Sequence, residues 1–279
     1  PPFFLRQTEI SGTTAPELIF GQFRNSSAES LIPAMPTFFT LDPEDYRNGY
    51  VAQWNFGVEH QLLRDLAVKA SYVGSRGNHL EVRFEGNGAF PPAAGAVQNR
   101  RRYPRFGSIT MTSPVGFSSY QSLQLTAEKR FSRGLQFLAG YTWSKSLDNA
   151  SNWGGLSTES FLPQNPLRLD LEKGRSAHDL RQRFTFSYIY KLPFQFQQRW
   201  AQLILGGWEN SGIVTLQTGF PFSLLVGGDI PNIGAAGTNT RANVVGDWRP
   251  ANQTIDTWFN PAAFAQPLSY TFGNTGRNI

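Results

Sequence analysis

Residues 120–143 hold two runs of strict alternation separated by a three-residue break. On the first arm Leu123, Leu125, Ala127 and Phe131 alternate with Ser122, Gln124, Thr126, Glu128 and Arg130. On the second, Leu135, Phe137, Ala139, Tyr141 and Trp143 alternate with Gln136, Gly140, Thr142 and Ser144. A period of two places apolar side chains on one face of a strand and polar ones on the other. Ser132-Arg133-Gly134 reads as a hairpin loop, with Gly134 free to take positive φ. Each arm runs to about ten residues or more, against roughly 5–6 for an ordinary strand. At ~3.3 Å per residue and a tilt near ~45°, such a strand crosses the roughly 25 Å apolar band of an outer membrane. The pattern therefore predicts hairpins of a transmembrane β-barrel, apolar face to lipid and polar face to the lumen.

Composition agrees. Charged residues are 16% of the chain, well below the roughly 25% usual in soluble domains. Aromatics reach 14% while mean hydropathy stays negative, as expected of a polar lumen and loops beside an aromatic exterior. No run approaches the ~18 apolar residues of a spanning helix, which leaves a barrel open. Without cysteine, disulfides, zinc-thiolate sites and iron–sulfur clusters are excluded. The net charge is +5, but the arginines are mostly dispersed, so no nucleic-acid partner is expected. The chain opens Pro-Pro-Phe-Phe and ends Gly-Asn-Thr-Gly-Arg-Asn-Ile. Neither end reads as a leader or a closing strand, and the sequence is expected to be an internal piece of a longer protein.

In order, residues 1–49 read as a long loop. Tyr50, Ala52, Trp54, Phe56 and Val58 then alternate with Gln53, Asn55, Gly57, Glu59 and Gln61. The chain turns at Leu63-Arg64-Asp65, and Leu66, Val68, Ala70 and Tyr72 return, giving a hairpin over 50–73. Residues 74–118 form a Gly/Pro/Arg-rich loop. The hairpin over 119–144 follows, and 145–180 is irregular. In the third hairpin, over 182–218, Phe184, Phe186, Tyr188, Tyr190 and Leu192 define one strand. Trp208, Gly212, Val214 and Leu216 define a weaker one, its pattern broken by Asn210 and Ile213. Residues 219–279 read as a loop region, with short stretches such as 222–226 as extra strand above the membrane. Short and long connections alternate, which assigns short turns to the periplasm and long loops to the cell exterior.

Chemistry-bearing constellations are sparse. His60, His79 and His178 do not stand at metal-ligand spacing, and no nucleophile elbow or phosphate loop occurs. Neither catalysis, a cofactor nor a metal is expected. Asp170, Glu172 and Asp179 read either as an oxygen-rich cation loop or as a solvated or arginine-paired set with Arg175 and Arg181. Arg100, Arg101, Arg102 and Arg105, with Tyr103 and Phe106, are the densest basic cluster. They are the candidate contact for lipopolysaccharide phosphates or an anionic ligand through bidentate guanidinium bonds; the alternative is a basic loop packed on its neighbours. Gln53, Asn55, Glu59, Lys69, Gln124, Thr126 and Glu128 would line the lumen.

Several segments resemble one family. They are residues 50–56 (YVAQWNF), 141–150 (YTWSKSLDNA), 183–194 (RFTFSYIYKLPF), 206–208 (GGW), 216–222 (LQTGFPF), 254–260 (TIDTWFN) and 272–278 (FGNTGRN). Their order and spacing, from residue 41 onward, are similar to the barrel domain of Oar-like TonB-dependent receptors. The resemblance implies a plug domain and a TonB-contact segment upstream, and a barrel of about 22 strands with more strands downstream. It also implies transport across the outer membrane energised through TonB.

The sequence thus predicts an all-β chain: an antiparallel meander of about six long strands, part of an outer-membrane barrel with long extracellular loops. Its expected partners are outer-membrane lipid and lipopolysaccharide, its own plug, the TonB complex and an unidentified solute. Two alternatives stand beside transport. One is a surface anchor or adhesion protein binding a partner through its loops. The other is a soluble β-sandwich with Trp54, Phe137 and Phe186 sealed between two sheets.

Overall fold

The computed structural model describes residues 37–42, 44, 46–151, 162–194, 197–199, 203–204, 206–235 and 240–279. Six long strands form one antiparallel meander: β2 (Tyr50–Leu63), β3 (Leu66–Glu85), β4 (Ile109–Ser132), β5 (Leu135–Asp148), β7 (Gln182–Lys191) and β8 (Glu209–Gln217). Two short strands join the same sheet, β1 (Phe38–Leu41) and β6 (Gly174–Arg175). A separate pair, β9 (Asn243–Val244) and β10 (Phe264–Ala265), lies in the C-terminal region. This is the all-β meander the alternation predicts.

The two predicted tight hairpins close with two-residue turns. Leu63 pairs with Leu66 across Arg64-Asp65, and Ser132 with Leu135 across Arg133-Gly134. Both residues of the second turn have positive φ, 50° and 80°. That is the type I′ geometry whose twist matches the flanking strands. Between β7 and β8 the connection runs over 192–208, and the connections at the other end of the sheet are longer.

Register fixes the faces. Trp54, Gly74, Gln121 and Lys145 share one cross-strand row, and Phe56, Tyr72, Leu123 and Trp143 the next. Trp54 lies over Gly74, where a Cβ would come within 2.4 Å of its ring. Tyr188 covers Gly212 in the same way, which places Asn210 and Gly212 in a regular strand despite their weak pattern. The apolar face is open: Trp54 is 41% exposed, and Phe186 meets the rings of Phe137, Phe184 and Tyr188 within the same face, at 5.6, 6.4 and 5.4 Å between centroids. The long strands make one layer, so the sandwich alternative does not hold.

Four boundaries differ from the sequence reading. Within the predicted loop 1–49, β1 pairs in parallel with Ile109–Thr112 of β4; its four residues are too few to show a period, and a parallel partner leaves no turn signal. Residues 1–36 lie outside the described residues. The predicted loop 74–118 shrinks to 86–108, because β3 continues to Glu85 and β4 starts at Ile109. Register shifts between Asn78 and Val82, with His79 at φ 54°, break the ladder locally before the same pairing resumes at Val82 and Ser113, and so interrupt a continuous period. The irregular stretch 145–180 contains the end of β5, a 3-10 turn at Leu169–Glu172 and β6. Within 219–279, besides β9 and β10, the stretch 222–226 contributes an isolated bridge from Leu225 to Arg241.

Candidate functional site

The basic cluster sits in the connection 86–108, around the short helix α1 (Val97–Arg100). Its anchor is Asn87, fully buried. The Asn87 amide donates to the carbonyls of Tyr103 (3.1 Å), Phe106 (3.1 Å) and Gly107 (2.8 Å), and its Oδ1 accepts from Tyr103 N–H (2.8 Å). Arg100 donates to the carbonyls of Ala89 (3.3 Å), Pro91 (3.2 Å) and Asn232. Arg101 donates to those of Asn87 (2.6 Å) and Gly234 (2.8 Å), and lies 3.6 Å from the Glu85 carboxylate. Arg102 and Arg105 are exposed, Arg102 over the Tyr103 ring at 5.4 Å. The four arginines therefore do not form one anion-binding patch. Arg100 and Arg101 turn inward and tie 86–108 to 229–234; Arg102 and Arg105 stay at the surface. Two of their carbonyl partners, Asn232 and Gly234, lie more than a hundred positions away, so no local pattern could have separated the two pairs.

A second polar centre covers the outer end of the lumenal face, where Ser144, Ser146 and Asp148 of β5 are buried. Ser146 N–H donates to Asp179 Oδ1 (2.7 Å), and Arg175 Nε donates to Asp179 Oδ2 (2.7 Å), with Arg181 at 3.6 Å. Arg277 reaches the Glu172 carbonyl (2.7 Å) and the Asp148 carboxylate. Arg241 Nη1 meets Glu172 Oε2 at 2.6 Å, the two side chains only 5% and 4% exposed. Gln164 ties both sides together, donating to the Gly273 carbonyl (2.8 Å) and accepting from Arg241 N–H (3.0 Å). Gly273 is required here: a Cβ would fall 1.7 Å from the Arg241 carbonyl oxygen. Burial removes water's competition for these charges, so each ion depends on its partner.

The three acids singled out in sequence thus take the arginine-paired reading. Asp179 binds Arg175 and Arg181, Glu172 binds Arg241, and the exposed Asp170 binds Arg168, whose hydrogen bond holds the Asp170 carboxyl below its ordinary range. Sequence reasoning found Arg175 and Arg181 but missed Arg241 and Arg277, the partners that come from the C-terminal region. His178 is exposed beside this layer. Below the layer the predicted lumenal residues do share one face: Glu59 stands opposite Lys69, Lys69 opposite Thr126, and Gln53 opposite Ser75.

A single sheet of long, two-faced strands, closed by tight turns at one end and long loops at the other, narrows the chain to one class of architecture. The outer membrane beta barrel domain matches it over residues 1–279. The chain belongs to the outer membrane beta barrel domain family. Neither a curated relative nor a solved structure matches it. As an outer membrane beta barrel domain it resides in the outer membrane of a Gram-negative bacterium, its open apolar face against lipid. Among the described residues no helix is long and apolar enough to cross a membrane, and the strands do the crossing. The ion-paired layer then belongs to the extracellular mouth, at the end of the long connections, and the two tight turns face the periplasm.

Proposed function

We propose that this barrel domain takes part in TonB-dependent uptake or reception of a solute, in the manner of Oar-like receptors. The loop layer captures the solute, and the polar lumenal face lines its passage against a plug supplied by the whole protein. The protein acts by binding and gating and carries out no covalent chemistry. One observation carries the reading: the outer end of the lumenal face is roofed by loops that are pinned to each other and to β5 through buried ion pairs. Such a roof gives a recognition surface a fixed shape. A barrel serving only as an anchor has no need of an ordered polar roof over its lumen.

The test uses the full-length protein in its own bacterium. Deletion of the gene should abolish growth on one of a panel of nutrients, among siderophores, oligosaccharides and peptides, and loss of TonB should reproduce the defect. Normal growth of the deletion strain on every nutrient, with lost adhesion to a surface or partner, would support the anchor instead.

A further inference from the structure

The lipid-facing side carries charge of one sign. We consider the outward positions of β2, of β3 up to Asn78, of β4 from Phe117 to Phe131, and of β5, β7 and β8. No Asp or Glu occurs among them, and the fixed charges there are Arg76, Lys129 and Lys145. Lys129 pairs with Asp65 beside the periplasmic turn. Arg76 and Lys145 are exposed at the opposite, extracellular end, just beyond the row of Tyr72, Leu123 and Trp143. Among the described residues Arg76 has a neutral partner, the Asn78 side-chain oxygen at 3.3 Å. The two cations flank β4, Arg76 opposite Ser119 and Lys145 opposite Gln121. Their backbones are about two strand spacings (~10 Å) and one row (~7 Å) apart, within joint reach of two long side chains.

On the same face, toward the membrane centre, lies an open apolar groove of about 470 Å³. Short side chains leave room in it: Ala70, Ala127 and Ala139 line it between Val58, Leu125 and Tyr141. It begins four to six residues below Lys145, about 13–20 Å along the strand. A fatty-acyl chain spans that distance.

A pair of cations at headgroup level above an apolar trough fits one amphiphile. We propose that Arg76, Lys145 and this groove form a docking site for lipid A, the phosphorylated, acylated glycolipid anchor of lipopolysaccharide in the outer leaflet. Its phosphate sits between the guanidinium and the ammonium, and one acyl chain fills the groove. The site differs from the arginines of 86–108, which lie in a loop. It rests on the outer-membrane location and not on transport.

The experiment titrates lipid A into the full-length barrel purified in detergent and reads binding by native mass spectrometry. Wild type should bind lipid A and discriminate against dephosphorylated lipid A. The double variant Arg76→Gln/Lys145→Gln should lose about thirtyfold in affinity. Ala127→Phe, which fills the groove and leaves the charge unchanged, should weaken lipid A while sparing capture of inorganic phosphate. The proposal is overturned if wild type binds lipid A and its dephosphorylated form equally, a comparison that needs no variant to fold. It is also overturned if phosphatidylglycerol competes as well as lipid A, or if a heat-modifiable, folded double variant binds lipid A like wild type.

Discussion

Removing Glu172 should open the extracellular roof and leave the membrane sheet intact. Its Oε2 is 2.6 Å from Arg241 Nη1, and both side chains are about one-twentieth exposed. The other carboxylate oxygen accepts from Gln164 N–H at 3.3 Å. Among the described residues Arg241 Nε has no hydrogen-bond partner of its own, so Glu172→Ala strands a buried guanidinium. Two unit charges ~4 Å apart attract by ~4 kcal/mol at an effective dielectric of ~20. Breaking one side of a buried pair costs about 3–5 kcal/mol. A local opening free energy lowered by that amount raises amide exchange by about two to three and a half powers of ten. Hydrogen exchange on the membrane-embedded protein should show this at 162–175 and 240–245 while β3, β4 and β5 keep their protection. The double variant Glu172→Leu/Arg241→Met, which removes both charges at similar volume, should recover most of it, since a buried ion pair is replaceable by apolar packing. Unchanged exchange in Glu172→Ala, or a double variant worse than either single one, would refute the claim that this pair holds the roof.

Three further outcomes follow from the same geometry. Arg101→Ala should loosen 86–108 and 229–235 by about 2–4 kcal/mol, because Glu85 and two carbonyls lose their donor; Arg102→Ala/Arg105→Ala should stay within about 0.5 kcal/mol, both read by limited proteolysis. The Lys129 ammonium and the Ser132 hydroxyl hold the Asp65 carboxyl down to about 2. A depressed carboxyl adds stability that is full above its unfolded value near 3.8 and fades as pH falls toward 2. The stability gap between wild type and Asp65→Asn should therefore be flat at neutral pH and close between those limits, as followed by thermal unfolding. Gly74→Val should displace the Trp54 indole, costing about 1–3 kcal/mol and shifting Trp54 fluorescence.

The membrane-facing part of this architecture was legible because lipid imposes a rule on every second residue. Trp54, Phe56 and Val58, or Phe137, Ala139 and Tyr141, declare a face without help from the rest of the chain. Above the membrane that rule lapses. Val82, Glu85 and Asn87 are buried within the protein, not against lipid, and the irregularity near His79 interrupts the ladder on which any periodic reading depends. The roof was harder still. Asp179 has its arginines close by in sequence, but Asp148 and Glu172 look like ordinary acids until Arg277 and Arg241 arrive from the C-terminal region. A pairing of charges across that many residues leaves no trace in spacing. Arg100 and Arg102 show the same limit at close range: two positions apart, one is folded inward and the other exposed.

The β3–β4 ladder reaches far past the bilayer. β4 alone has 24 residues, roughly 55 Å of height at ~3.3 Å per residue and a ~45° tilt, against an apolar band of roughly 25 Å. Its upper part is a stiff pedestal that carries 86–108 clear of the membrane surface. Because side chains swap sides at each step, the height of that pedestal can change during descent only by matched pairs of residues on both strands, or by a single insertion absorbed as another kink. Relatives of different reach should therefore differ by even numbers here, with odd differences falling beside the bend at His79.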